Sequence, residues 1–175
     1  PFRTTLIRAW QPEAPVDAEA APGIRYLGPR SAQIAARAGE TAELTLLWQA
    51  IAPIETEYLL RVDLVDGEGR AHLLHLSHPL GGRWPTRAWD EGTYLSDRHT
   101  LALPTLPAGE YPLRVMWVKD DLQPLGPSLD AGTLRVSAAA SATSGLQVDI
   151  EGAEKDEENP PPQDEKIGRI IDVKK

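Results

Sequence analysis

The amino-acid sequence predicts an all-β fold: an antiparallel β-sandwich, immunoglobulin-like or jelly-roll-like, with about seven to eight strands. Three observations favour this class. Short runs alternate between apolar and polar residues, turn-forming residues separate these runs, and no stretch has a convincing 3.6-residue period. The sandwich is expected to span residues 23–136.

Several of the predicted strands alternate cleanly, which places their apolar side chains on one face of a sheet: ELTLLW (43–48), YLLRVDLV (58–65) and EYPLRVMWV (110–118). Further strands are expected at RAHLLHL (70–76), RHTLAL (98–103) and GTLRV (132–136).

Two local features refine the strand prediction. DGEG (66–69) supplies a tight turn, so the strands on either side of it should form a hairpin. Pro112 lies inside a strand pattern but has no backbone N–H group, so we expect an edge position or a β-bulge there.

The two ends of the chain differ in composition from the predicted sandwich. Residues 1–22 include Pro12, Pro15 and Pro22 among alanines and acids and should form an extended segment. Residues 137–166 should form a linker that continues into an acidic, proline-rich disordered stretch. Residues 167–175 are typical of a short strand or a docking segment. The chain has no initiating methionine, so we expect it to begin inside a longer precursor.

Bulk composition excludes several functional classes. The 175-residue chain has a net charge of -8 and a pI near 5.0, which argues against nucleic-acid binding because such proteins need a basic surface. There is no cysteine, and therefore no disulfide, thiolate chemistry or cysteine-bound zinc. No run of about 18 apolar residues occurs, so no membrane-spanning segment is expected.

The segment GGRWPTRAWDEGTYLSD (81–97) contains the candidate ligand-binding residues. Exposed aromatic rings can pack on the C–H faces of sugars, while charged side chains bind the hydroxyl groups. These candidates are Arg83, Trp84, Trp89, Tyr94 and Asp97.

A structural interpretation competes with this one. Trp89 could fold inward and close one end of the sandwich, with Asp97 or Thr86 fixing the loop backbone. The pattern favours this interpretation for Trp89 and leaves both open for Trp84.

Other candidate sites are weaker. His72, His75 and His78 are spaced three apart on one strand and do not converge as zinc ligands, so no metal is expected. The DGEG turn is too short for a calcium site. Acidic residues near 90–97 could form a glycosidase pair, but nothing in the pattern indicates a perturbed environment. With no nucleophile elbow and no phosphate-binding loop, neither enzymatic activity nor a cofactor is expected.

Four segments carry a resemblance to a known family. They are AGETAELTLLWQA (38–50), DGEGR (66–70), PLGGRWPTRAWDEGTYLSD (79–97) and LPAGEYPLRV (106–115). These segments, in this order, resemble those of an extracytoplasmic β-sandwich module found C-terminal to membrane-spanning glycosyltransferase-like proteins of bacterial cell envelopes. An acidic residue common just before the Pro-x-Gly-Gly segment of that family is replaced here by Leu76 and Ser77.

The resemblance implies a non-catalytic accessory module on the outside of a bacterial cell. Its expected task is to recognise or position a saccharide, such as a lipid-linked sugar, or a neighbouring domain of a larger envelope protein. The alternatives are a purely structural interaction domain without a ligand site and a glycoside-acting enzyme.

Overall fold

A computed structural model describes residues 11–138 of the chain. The expected acidic stretch and the terminal segment at 167–175 lie outside the described residues, as do residues 1–10 of the expected extended segment and most of the linker.

The described residues form an all-β structure with two sheets, as the sequence predicts. The four-stranded sheet has the order β1-β2-β4-β7, and the five-stranded sheet has the order β3-β9-β8-β5-β6. The strands are β1 (Ala18–Ala21), β2 (Ile24–Pro29), β3 (Gln33–Arg37), β4 (Thr41–Ala50), β5 (Leu59–Val65), β6 (Ala71–Ser77), β7 (Tyr94–Ala102), β8 (Gly109–Val118) and β9 (Leu129–Ser137).

The strand count differs from the prediction, because residues 11–138 contain nine strands. The first, β1, lies inside the stretch predicted as an extended segment. Both β1 and β3 are short edge strands rich in alanine, so neither has a strong apolar alternation. The sheets are also not wholly antiparallel, because β3 pairs with β9 in parallel.

The predicted hairpin and the irregularity at Pro112 are both present. β5 and β6 pair antiparallel on either side of the DGEG turn. The Asp66 carboxylate holds this turn by accepting hydrogen bonds from the backbone N–H groups of Glu68 and Arg70. Pro112 lies in a strand with neighbours on both sides, and the register with β9 shifts between Pro112 and Arg114. The shift is consistent with the N–H group that proline lacks.

The two sheets pack on a core of large aromatic side chains. Trp48 of β4 and Trp117 of β8 come from opposite sheets, and their ring centroids lie 5.0 Å apart. Tyr26 contacts Trp48 at 4.6 Å, and Trp89 contacts Trp117 at 5.9 Å. Burial, and secondarily the charge of Asp130, raises the pKa of the Tyr26 hydroxyl. The arrangement is sandwich-like.

The position of β6 and β7 determines where the candidate site forms. β6 is the last strand of the five-stranded sheet, β7 is the last strand of the four-stranded sheet, and the two edges contact each other. The segment that joins them therefore crosses from one sheet to the other. No helix within residues 11–138 is long and apolar enough to cross a membrane.

Candidate functional site

The crossing between Ser77 and Tyr94 contains two short 3₁₀ turns, Pro79–Gly82 and Thr86–Ala88. Leu80 and the two glycines that follow it have left-handed backbone conformations, with φ values of 52°, 65° and 75°. Glycine adopts such values at little cost, whereas leucine needs support from its surroundings. That support comes from Asp97.

Asp97 lies beneath the loop and has no solvent-exposed surface. Its Oδ1 atom accepts a hydrogen bond of 2.8 Å from the backbone N–H of Leu80. His99 Nε2 lies 2.9 Å from the other carboxylate oxygen, without the alignment that a hydrogen bond requires. The carboxylate of Asp97 thus fixes the loop from the inside and does not reach the surface.

Thr86 ties the second turn to the segment before β5. Its hydroxyl donates a hydrogen bond to the carbonyl of Thr56 and accepts one from the backbone N–H of Tyr58, both at 3.0 Å. Thr86 is fully buried, so these bonds replace lost contacts with water. The interpretation that Thr86 and Asp97 fix the loop backbone is confirmed for both residues.

Trp89 folds into the core, as the structural interpretation predicts. Its side chain is 3% exposed, and its ring meets Trp117 edge-on at an interplanar angle of 83°. The indole N–H of Trp89 donates a 3.1 Å hydrogen bond to the carbonyl of Trp84. Trp89 therefore closes one part of the core and also holds the backbone at Trp84.

Trp84 has the opposite environment. It is 38% exposed, and its indole N–H donates a 3.0 Å hydrogen bond to the carbonyl of Ala88. The single polar atom of the ring is thus bound within the loop. What Trp84 presents to solvent is ring carbon, held at a defined position.

An open cleft of about 550 Å³ lies beside Trp84. Its lining residues come from the loop and from β7: Leu80, Gly81, Arg83, Trp84, Ser96 and Arg98. Tyr94 is 56% exposed. Tyr94, Ser96 and Arg98 are spaced two residues apart along β7, so their side chains share the outer face of that strand.

The structure therefore separates the five candidate residues into two groups. Arg83 and Trp84 line the cleft and Tyr94 is exposed on the outer face of β7, whereas Trp89 and Asp97 are buried. We call the exposed group, together with Ser96 and Arg98, the Trp84 surface. The sequence reasoning missed Ser96 and Arg98. The signal that could have found them is the two-residue period that continues from Tyr94.

A second group of polar side chains lies between the edges of the two sheets. His75 Nε2 lies 2.9 Å from the Ser77 hydroxyl, which lies 3.5 Å from His99 Nδ1. The rings of His75 and His99 approach to 5.2 Å, and His99 is next to buried Asp97. Desolvation by burial, and secondarily the charge of His99, lowers the pKa of His75, while Asp97 opposes the shift. This group couples β6 to β7 through titratable side chains.

Metal coordination has no cluster to support it in the described part of the chain. Residues 11–138 contain no group of three or more His, Cys, Asp or Glu side chains that could hold a metal ion. His72 binds Asp66 of the hairpin turn at 2.7 Å, and His78 lies 3.8 Å from Glu57. The three histidines thus have separate local partners.

A larger cavity of about 820 Å³ lies at the end of the sandwich near the β5–β6 hairpin. Leucines and prolines supply much of its wall, and the charged groups on its rim bind one another. Asp66 contacts both Arg70 and His72, and Glu68 pairs with Arg70. The Trp84 surface is the stronger candidate because its arginines have no such partners within residues 11–138.

Comparison with known proteins leaves the fold and the site geometry as the basis for a functional proposal. No protein-family model matches this chain, and no curated protein matches it.

Proposed function

We propose that this domain is a non-catalytic saccharide-recognition module that binds its ligand at the Trp84 surface. We place it outside a bacterial cell, as an accessory module of a larger envelope protein with an immunoglobulin-like or jelly-roll-like sandwich. The location and the association with glycosyltransferase-like proteins rest on the resemblance carried by residues 38–50, 66–70, 79–97 and 106–115.

The observation that carries the proposal is the exposure of Trp84 in a rigid setting. Its indole N–H bonds to Ala88, its carbonyl accepts from buried Trp89, and the following turn is fixed by Thr86. A ring that is already ordered loses little conformational freedom when a ligand binds. Its exposed carbon surface suits the C–H face of a pyranose.

The arrangement of carboxylates supports recognition rather than hydrolysis. A glycosidase needs two carboxyl groups on either side of the scissile bond. Asp97 points inward and is committed to Leu80, whereas Asp90 and Glu91 are exposed in a turn. Among residues 11–138, no acidic side chain lines the Trp84 cleft.

A second candidate function is docking to a neighbouring domain. Leu73 and Leu76 are exposed on β6, which is a sheet edge. Exposed leucines on the edge strand of a sheet are a common feature of surfaces that associate with other chains. This function would use β6 rather than the loop, so the two candidates require different residues.

Binding to immobilised oligosaccharides tests the proposal, with neutral and acidic sugars presented to the whole chain. We expect the wild type to bind at least one sugar, and Trp84→Ala to weaken that binding by about tenfold or more, as for loss of a central aromatic contact. Leu73→Ala is the matched control, because it truncates an apolar side chain on β6 that is more exposed than Trp84 and lies outside the cleft. Absence of binding to every sugar, or equal binding by Trp84→Ala and wild type, would contradict the proposal.

A further inference from the structure

We infer that the ligand of the Trp84 surface is an anionic saccharide, carrying a carboxylate or phosphate group that binds between Arg83 and Arg98. This inference rests on the proposed saccharide function and specifies its ligand class.

Two arginines from different elements line the same cleft. Arg83 follows the Pro79–Gly82 turn, whereas Arg98 lies on β7, and the cleft brings both side chains to the exposed ring of Trp84. Both side chains are exposed. One arginine from a loop and one from a strand therefore supply positive charge to the same concave surface.

Neither guanidinium has an acidic partner among residues 11–138, where no carboxylate lies within 4.0 Å of either group. Several other arginines of the domain do have partners, for example Arg61, which binds Asp63 at 2.9 Å, and Arg70, which binds Glu68 at 2.9 Å. Arg83 and Arg98 are thus available to bind an anion.

The local charge is opposite to that of the whole chain. The chain has a net charge of -8, but the described part of the chain contributes two arginines and no acidic residue to the lining of the cleft. The nearest buried carboxylate, Asp97, already binds Leu80 and lies next to His99. A positive cleft on an acidic protein attracts anions locally while the rest of the surface repels them.

Guanidinium geometry selects the kind of anion. The planar fork of arginine binds carboxylate and phosphate through paired N–H donors, which a neutral hydroxyl group cannot match. With the sugar ring on Trp84, its acidic substituent would reach the arginines at the rim of the same cleft. Ser96 also lines the cleft, and its hydroxyl can donate to a further oxygen.

The test measures the affinity of the whole chain for three ligands: a uronic-acid oligosaccharide, its carboxyl-reduced neutral counterpart, and a sugar phosphate. We expect the wild type to bind an acidic ligand about tenfold or more tightly than the neutral one, a difference that should fall as salt is raised. Preference for the uronate or for the phosphate identifies the source of the negative charge.

Arginine variants separate local recognition from general charge. Arg83→Gln and Arg98→Gln should each lower the affinity for the acidic ligand more than the affinity for the neutral one, and so remove most of the preference for the acidic ligand. Arg87→Gln is the control, because Arg87 is exposed in the same loop and carries the same charge but does not line the cleft. The thermal unfolding of each variant is measured alongside binding.

Three outcomes would overturn the inference. Equal affinity for the acidic and neutral sugars would refute it while leaving the saccharide function intact. An equal loss in Arg87→Gln and Arg98→Gln would mean that only overall charge matters. Failure of all three ligands to bind, together with no sugar bound on the wider panel, would refute the saccharide function itself.

Discussion

At the scale of single residues, Trp84 and Trp89 lie five positions apart in one loop and have different environments. Each indole N–H donates to a loop carbonyl, Trp84 to Ala88 and Trp89 to Trp84, so the two rings brace the same few residues. Trp89 adds contacts with Trp117 in the core, whereas part of Trp84 remains in solvent. The two side chains should therefore contribute to different properties, Trp89 to stability and Trp84 to binding.

Thermal unfolding of Trp84→Ala and Trp89→Ala tests this division. Removing the buried Trp89 side chain should cost about 3–5 kcal/mol, as large aromatic truncations in cores do. For a domain of this size the melting temperature should fall by roughly 6–20 °C. Trp84→Ala should cause a clearly smaller fall, because part of its surface is already exposed. Trp89→Phe keeps an aromatic ring in the core and serves as the control, and equal falls for both alanine variants would contradict the division.

At the scale of elements, the edges of β6 and β7 are joined by polar groups rather than by apolar packing alone. His75 and Ser77 of β6 face His99 and Asp97 of β7. Asp97 in turn binds Leu80 in the loop that connects the strands. A change in the charge of this group should therefore affect the junction of the two sheets.

Because the pKa of His75 is lowered, the stability of the folded domain should depend on pH in a definite direction. A histidine whose pKa is lower in the folded state binds protons more readily when unfolded, so protonation favours unfolding. The stability that neutral His75 allows is fully present above its unfolded pKa of about 6.5 and is lost as the pH falls from there through the lower folded value. His75→Gln cannot titrate and should lose less stability on acidification.

Urea unfolding at about pH 7.5 and about pH 5 measures the effect, since these values lie on either side of the unfolded histidine pKa. The difference in unfolding free energy between wild type and His75→Gln should shift in favour of the variant at the lower pH. His72→Gln is a suitable control, because His72 is exposed and lies outside the β6–β7 junction. An equal loss of stability in wild type and His75→Gln would contradict the assignment.

The sequence predicts elements where alternation is strong and fails where pairing depends on distant chain. β4, β5 and β8 carry large alternating side chains, and the ends of each strand lie within two residues of the predicted ends. β1 and β3 contain almost no large apolar side chains and form because a neighbouring strand offers hydrogen bonds. Such pairing is set by tertiary contacts, which no local pattern contains.

The candidate site was predictable to a similar degree. The residue types of 81–97 indicated an aromatic surface, and a tryptophan between polar residues could not be placed inside or outside by pattern alone. Two consequences of folding determine which tryptophan is exposed: the left-handed turn at Leu80 and the Asp97 carboxylate that binds its backbone. Arg98 joined the surface because β7 continues the outward alternation that begins at Tyr94.

At the scale of the whole molecule, the domain combines a buried aromatic core with a cationic cleft on an acidic chain. The core holds Trp48, Trp89 and Trp117 in contact across the two sheets, and the loop that ends in β7 presents Trp84 on top of it. A ligand should therefore perturb Trp84 and leave the deep tryptophans nearly unchanged.

The indole N–H signals in a nitrogen–proton NMR spectrum test this central claim most directly. The chain has five tryptophans, and Trp84→Phe identifies the signal of Trp84. Titration with acidic and neutral oligosaccharides should shift the Trp84 signal progressively, with little change in those of Trp48 and Trp117. A Trp84 signal that stays in place with every sugar, or shifts confined to the core tryptophans, would contradict the account.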